Sequence, residues 1–197
     1  MQAAIKELMD DHQVILRMLG ALGGMAARIA EGGVVPADDL AAAVDFVRNF
    51  ADAAHHGKEE DLLFPAMEEA GIPRDTGPIG VMLMEHESGR AYVRALRDAV
   101  ERLKDGEKGA AKDAAENAAN YAELLRSHID KEDNILYPMA LENLSASRFK
   151  TLEKEFSRVE AERMGPARRA GYVRLVERLE KEYPAPACGC DSHGGCG

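Results

Sequence analysis

Hydrophobic residues recur at intervals of three and four along most of this 197-residue chain, which is the spacing of an amphipathic α-helix. Glycine and proline interrupt that pattern at residues 32–36, 71–78 and 105–109. The pattern therefore predicts long helices over about residues 2–31, 36–70, 79–104 and 110–143. Four long helices with short connections predict an all-α fold, an up-down-up-down four-helix bundle.

A further helical segment follows the predicted bundle. Residues 145–183 are rich in charged side chains and are broken near Gly165 and Pro166, so we expect them to pack on the outside of the bundle. Residues 184–197 have little apolar surface to bury and are expected to form a mobile tail. The predicted organisation is a bundle at 1–144, an accessory helix or helices at 145–183 and a Cys/Gly tail at 184–197.

The formal net charge of −10 argues against sequence-independent binding of nucleic acid. We find no apolar run that approaches the roughly 20 residues of a membrane span, and no basic segment followed by an apolar one at the N-terminus. A cytoplasmic protein with neither a membrane nor a nucleic-acid partner is therefore expected. The three cysteines are Cys188, Cys190 and Cys196, all in the tail, which excludes a disulfide-stapled core.

The stretches 55–65 and 128–138 are internal repeats. Both have the order His-x-x-Lys-Glu, three further residues, an apolar residue, an aromatic residue and Pro. A His and a Glu four residues apart lie on one face of a helix, one turn apart. Two such pairs that face each other inside a bundle can form a carboxylate-bridged two-metal site.

Each predicted bundle helix carries one His in phase with its apolar residues, and the two repeat Glu residues extend the same faces. Buried ionisable groups are costly unless they are paired or bound to metal. The sequence therefore predicts a set of metal ligands that comprises His12, His55, Glu59, His86, His128 and Glu132.

His56 and Glu60 form a competing pair with the same spacing, rotated by about 100° around the helix. We favour His55 and Glu59 because they match the repeat and the phase of the apolar residues before them. His56 and Glu60 are then expected to be neighbours of the ligands or surface residues. For Tyr121 two interpretations remain open, a hydrogen bond to a ligand bound at the site or an ordinary core tyrosine.

The arrangement of these motifs resembles the hemerythrin-like, HHE cation-binding family over residues 5–143. The motifs that carry the resemblance are Asp11-His12, His55-x-x-x-Glu59, Glu85-His86-Glu87 and His128-x-x-x-Glu132. Residues 77–82, which lead into the helix-3 motif, are most similar to the iron-sulfur-cluster-repair di-iron branch. The resemblance implies two iron ions, although imidazole and carboxylate ligands also suit zinc or manganese.

The chain departs from the oxygen-carrying members of the family at one position. Those members have a second His four residues after the helix-3 His, where this chain has Arg90. They also have an Asp five residues after the last His, where this chain has Asp133, but here Glu132 gives the pattern His-x-x-x-Glu. The resemblance to the repair branch therefore implies four His and two Glu. Fewer His ligands leave open coordination positions, which favour reaction over oxygen storage. Two orientations of Arg90 remain open: inward, where it would favour bound anions such as peroxide or nitrite, and outward, as for most Arg residues.

The resemblance implies oxygen, peroxide or nitric oxide as the small ligand, a redox partner, and a role in stress response or iron-sulfur repair. Two functional classes remain open, a di-iron oxidoreductase and a non-catalytic sensor or store. A monomer and a homodimer also remain open. The tail cysteines, together with His193, are candidates for soft-metal binding or redox exchange.

Overall fold

The structure is a computed structural model that describes residues 2–186. Over these residues the chain is helical with no strand, so the all-α prediction is confirmed. The predicted tail site at Cys188, Cys190 and Cys196 lies outside the described residues. Helix α1 spans Ala3–Ala30 and helix α3 spans Gly77–Lys104, both close to their predicted bounds.

Helices α2 and α4 each combine α-helical and π-helical segments. Helix α2 covers residues 37–69, and its segments are Ala37–Phe46, the π-helical Val47–His56 and Glu59–Leu63, and Phe64–Glu69. Helix α4 covers residues 110–143, and its segments are Ala110–Lys131, the π-helical Glu132–Leu136 and Tyr137–Asn143. The π-helical segments coincide with the repeated motifs, and such segments are frequent at functional sites.

The segment after the bundle forms two helices. Helix α5 runs through Ala146–Val159 and the π-helical Glu160–Met164, and helix α6 spans Pro166–Glu182. Gly165, with a φ of 70°, makes the break between them. Both helices pack against α1 and bury one apolar stripe each, whose members are Phe149, Leu152 and Phe156 in α5 and Tyr172, Val176 and Leu179 in α6.

The buried apolar residues form two separate clusters. One includes Ile15, Leu19 and Phe50, and the other includes Leu8 and Phe64. The repeated His and Glu residues lie in the buried layer between these clusters. The fold thus encloses polar side chains between two apolar regions, where their charge has little solvent to stabilise it.

Among the described residues, α1 is long and apolar enough to cross a membrane by length and composition. The prediction that no run approaches such a length therefore needs correction for this helix. The apolar face of α1, which includes Leu8, Ile15 and Leu19, is buried against the other helices. The same helix also buries Asp11 and His12, which is the packing of a core helix in a bundle.

Candidate metal centre

Seven potential metal-binding side chains meet in the polar layer, and each residue is 5% exposed or less. They form two groups whose ligand atoms lie within 4.8 Å of one another in each group. The first group is His12, His55, Glu59 and Glu132, and the second is His56, His86 and His128. The structure thus brings the six sequence-predicted residues together and adds His56.

His56 is buried beside the predicted ligands, so the surface alternative for this residue does not hold. In a regular α-helix, the 100° rotation between neighbours directs His55 and His56 to different faces. Both residues end a π-helical segment of α2. Both imidazoles are buried in the layer, with His55 1% and His56 5% exposed.

Two pairs of imidazoles have nearly the same geometry. The Nε2 atoms of His12 and His55 are 3.0 Å apart, and so are those of His86 and His128. The rings in both pairs have centroids 4.7 Å apart, with interplanar angles of 63° and 62°. Two nitrogens that bind one metal at about 2.1 Å and at a right angle lie about 3.0 Å apart, so both pairs fit a shared cation.

The two repeat carboxylates lie between the groups. Glu132 Oε2 is 3.2 Å from His12 Nε2, and its Oε1 is 3.1 Å from His128 Nε2. Glu59 Oε2 is 3.7 Å from His55 Nε2 and 3.6 Å from His86 Nε2. Each carboxylate therefore reaches imidazoles of both groups.

The Nδ1 sides of the imidazoles face a ring of outer carboxylates. His12 Nδ1 donates to Asp133 at 2.8 Å and His86 Nδ1 donates to Glu60 at 2.7 Å. The other pairs are His128 with Glu85 at 2.9 Å, His55 with Asp11 at 3.6 Å and His56 with Asp52 at 3.5 Å. A carboxylate on Nδ1 directs the Nε2 lone pair inward and is the usual partner of a metal-binding His.

These contacts are approximately symmetric: the His–carboxylate pairs of the α1–α2 half of the layer have counterparts in the α3–α4 half. Asp133 and Glu60 each follow a repeat Glu, and Asp11 and Glu85 each precede the His of their helix. Two pairs of residues break the symmetry. His56 corresponds to Ile129 in the second repeat, and Phe64 corresponds to Tyr137.

Tyr137 is a residue of the site that the sequence analysis did not select. Its hydroxyl donates to Glu59 Oε1 at 2.6 Å and lies 3.3 Å from His12 Nε2. Its ring stacks on His12 with centroids 5.5 Å apart. The aromatic position of the repeat, directly before Pro138, was the signal that could have identified it.

The other residues predicted near the ligands have different positions. Glu60 is held on His86, as described, and Arg90 donates to Glu60 at 2.6 Å and to Asp52 at 2.9 Å. Arg90 therefore contacts the outer carboxylates and not the imidazoles. Tyr121 lines a cavity beside His56 and makes no hydrogen bond with any described ligand residue.

Several buried polar atoms of the layer have no hydrogen-bond partner among the residues that the structure describes, as is expected of a site for cations. These atoms are Nδ1 of His55, Nδ1 of His56, Oε2 of Glu59 and both carboxylate oxygens of Glu132. Burial raises the pKa of Glu59 well above its ordinary value, and the charge of Glu132 raises it further. Divalent cations between these carboxylates would compensate their charge and use the free oxygens.

A helical bundle with imidazole and carboxylate groups converging in a buried layer belongs to the class of helical metal-binding proteins. The sequence profile of the hemerythrin HHE cation binding domain matches residues 3–140, and the chain belongs to this family. The chain is thus a hemerythrin-like metal-binding protein.

The sequence is also similar to individual proteins. It is 26% identical over 178 residues to an uncharacterised protein of Mycobacterium tuberculosis. The aligned region covers 90% of this chain and 69% of that protein. It is 31% identical over 91 residues to the iron-sulfur cluster repair protein YtfE of Salmonella newport. That match covers 45% of this chain and 41% of YtfE. No solved structure matches the chain.

Proposed function

We propose that this protein is a non-haem di-iron protein that binds and reacts with oxygen, peroxide or nitric oxide. The observation that supports this most is the position of Glu59 and Glu132, each of which reaches imidazoles of both groups. Carboxylates in that position are suited to bridge two cations. When bound, two iron ions would supply one-electron oxidation and reduction and positions for a small ligand.

The proposed ligand assignment follows the two pairs of imidazoles. His12 and His55 would hold one metal, and His86 and His128 would hold the other. Glu59 and Glu132, which reach imidazoles of both groups, would lie between the two metals. Iron is the metal that family membership favours, and zinc and manganese are the alternatives that suit the same ligands.

His56 does not add a fifth imidazole to this assignment. Its ring stacks on His86 with planes 15° from parallel, and the lone pairs of two stacked rings cannot meet at one cation. The proposed centre therefore keeps the four His that the departure at Arg90 predicted, two for each metal. We place the reactive side next to His12, where the Tyr137 hydroxyl also lies.

The Tyr137 hydroxyl has a definite part in this proposal. It donates to the buried oxygen Glu59 Oε1, which orients the carboxylate and leaves Oε2 for the metals. In the metal-free protein, burial and the charges of Glu132 and Glu59 raise the pKa of Tyr137. The hydroxyl is thus a hydrogen-bond donor at the reactive side, as its bond to Glu59 shows.

Reversible oxygen binding is a second candidate function. Oxygen-carrying members of the family have an additional His at the place of Arg90, and here the imidazole of His56 lies in the same buried layer on another helix. A non-catalytic sensor or store would use the same ligands. The comparison with YtfE covers less than half of that protein, so a role in iron-sulfur repair or stress response is a further proposal, as are a redox partner and a cytoplasmic location.

The proposal also includes an organisation of the chain. Residues 1–144 would form the up-down-up-down bundle that holds both metals, and residues 145–183 would cover it from outside. Arg169 of α6 links these C-terminal helices to the centre, because it donates to Asp11 at 2.7 Å. Asp11 in turn faces His55.

Anaerobic reconstitution with ferrous iron tests the proposal. We expect two tightly bound irons per chain and spectral changes when the reduced protein meets oxygen, peroxide or nitric oxide in parallel experiments. Rapid oxidation by peroxide with iron retained supports a reactive centre. Many cycles of reversible oxygen binding would instead establish an oxygen-binding function. One iron per chain after full reconstitution contradicts the two-metal assignment.

A further inference from the structure

A cavity of about 260 Å³ lies between α2, α3 and α4, next to the three-imidazole group. His56 and His86 form part of its lining at one end. The volume is far larger than a diatomic ligand requires, since one water occupies about 30 Å³ in the liquid. It approaches the range of pockets that hold small organic molecules.

The middle of the cavity is apolar. Its lining includes Val47, Val93 and Leu125, all buried, and the bare backbone of Gly89. A Cβ added at Gly89 would lie 3.5 Å from the ring of Tyr121, which is ordinary contact. The absence of a side chain at this position therefore leaves space that another residue could fill without a clash.

Tyr121 gives this apolar region one polar group. The residue is 2% exposed and lines the cavity, and its hydroxyl forms no hydrogen bond within residues 2–186. The hydroxyl is not among the fully enclosed polar atoms without partners in the described residues, so it is accessible from the cavity. It can therefore donate a hydrogen bond to a bound molecule.

The other end of the cavity is basic. Arg97 lies two helical turns, about 12 Å, beyond Gly89 along α3, and Arg48 and Arg94 also belong to the lining. Arg48 forms no ion pair with any residue of the described chain, whereas Arg94 and Arg97 pair only with exposed carboxylates. Such surface pairs are weak, so these guanidinium groups can bind an anion at little cost.

We propose that this cavity binds a medium-chain carboxylate whose far end carries an oxygen group. The carboxylate would pair with Arg48 and Arg97, the hydrocarbon chain would lie against Val47 and Val93, and the terminal oxygen would accept a hydrogen bond from Tyr121. This arrangement places the oxygenated end of the molecule on the side of His56. The binding site is formed by protein atoms, so the inference does not depend on the metal chemistry proposed above.

Calorimetric titration of metal-free and iron-loaded protein with ω-hydroxyoctanoate, octanoate and octanol tests the inference. We expect saturable binding of ω-hydroxyoctanoate at one site per chain, with octanoate weaker and octanol weaker still. Arg48→Gln combined with Arg97→Gln should weaken both carboxylates about tenfold, as expected for the loss of charge-assisted contacts. Arg158→Gln combined with Arg174→Gln removes the same charge from exposed arginines elsewhere and should change nothing.

Two further variants address the interior. Gly89→Leu should abolish binding of all three probes while the protein stays folded, because leucine favours a helix more than glycine does. Tyr121→Phe should remove the preference for ω-hydroxyoctanoate over octanoate. Absence of saturable carboxylate binding in both metal-free and loaded protein would overturn the inference, as would binding that Gly89→Leu leaves unchanged. Binding to metal-free protein that also fails to take up two irons would support this site and refute the di-iron proposal.

Discussion

The imidazole rings of His56 and His86 are stacked, with centroids 3.9 Å apart and planes 15° from parallel. His86 is in turn 3.0 Å from His128 through their Nε2 atoms. His56 therefore belongs to the same buried group as His86 and His128. Its role decides whether the centre has four imidazoles or five.

We predict that His56→Ala keeps two irons per chain, because a ring stacked on His86 does not direct a lone pair at the same cation. His55→Ala, the neighbouring variant, should lose at least one iron, since His55 Nε2 lies 3.0 Å from His12 Nε2. Ile129→Ala alters the position that corresponds to His56 in the second repeat and should also retain two irons. Iron analysis after reconstitution measures all three variants, and fewer than two irons in His56→Ala would establish a fifth imidazole ligand.

Much of the fold and of the ligand set could be predicted from the sequence. The helices, the repeat and the six ligand candidates followed from the spacing of apolar residues and the rule of 3.6 residues per turn. The sequence left His56 open as a neighbour of the ligands or a surface residue. Its burial depends on how α2 docks and on the π-helical segment there, which no pattern in a single sequence reveals.

The outer contacts were harder to predict for another reason. The carboxylates on His12 and His86 come from helices distant in sequence, so their pairing depends on how the helices dock. Tyr137 likewise lies 78 positions from its partner Glu59. The sequence left the orientation of Arg90 open, and the structure has its guanidinium on the outer carboxylates Glu60 and Asp52.

Tyr137→Phe tests the hydrogen bond to Glu59. The change keeps the ring on His12 but leaves a buried carboxylate oxygen without its donor, so we expect a loss of about 1–3 kcal/mol in the unfolding free energy of the metal-free protein. Two irons should still bind, and the rate of oxidation by peroxide should change. Denaturant unfolding, metal analysis and stopped-flow absorbance measure these effects.

The matched control for this variant is Tyr172→Phe. Tyr172 also donates to a carboxylate, Asp45, at 2.8 Å, but it is not among the residues of the metal layer. It should lower stability without altering the reaction with peroxide. An equal change of rate in both variants would mean that Tyr137 acts only through general stability.

Arg169→Gln tests the connection between the C-terminal helices and the centre. Arg169 and the fully buried Lys58, whose Nζ is 2.8 Å from Asp11, together compensate the buried Asp11 charge. Removing one of the two cations should lower the unfolding free energy by about 1–3 kcal/mol. It should also weaken metal retention about tenfold, because Asp11 faces the imidazole of His55.

Competition with a chelator measures that retention, and Arg174→Gln is the control from the same helix. Arg174 is exposed, so its loss should affect neither stability nor metal. If Arg169→Gln destabilises the protein but holds iron as tightly as the parent, the C-terminal helices only cover the bundle.

Tyr183→Phe should give a pH-dependent loss of stability at the other end of the C-terminal segment. The Tyr183 hydroxyl donates to Asp39 Oδ2 at 2.6 Å. Burial raises the pKa of Tyr183, and the hydrogen bond to Asp39 raises it further, to about 12. Although partial burial raises the pKa of Asp39, hydrogen bonds from Tyr183 and Arg178 lower it more, so it falls below 3.8.

The sign of the effect follows from these two shifts. The raised pKa of Tyr183 stabilises the folded state fully below about pH 10, and this stabilisation is lost as the pH rises through about 12. The lowered pKa of Asp39 stabilises the folded state above about pH 4. That stabilisation is lost as the pH falls through the folded pKa of Asp39. Tyr183→Phe should therefore cost about 1 kcal/mol at neutral pH and progressively less as the pH falls through the folded pKa of Asp39. Urea unfolding at a series of pH values from neutral downward measures the difference, with Tyr92→Phe as the control. An equal cost at every pH would show that the hydroxyl contributes independently of the Asp39 charge.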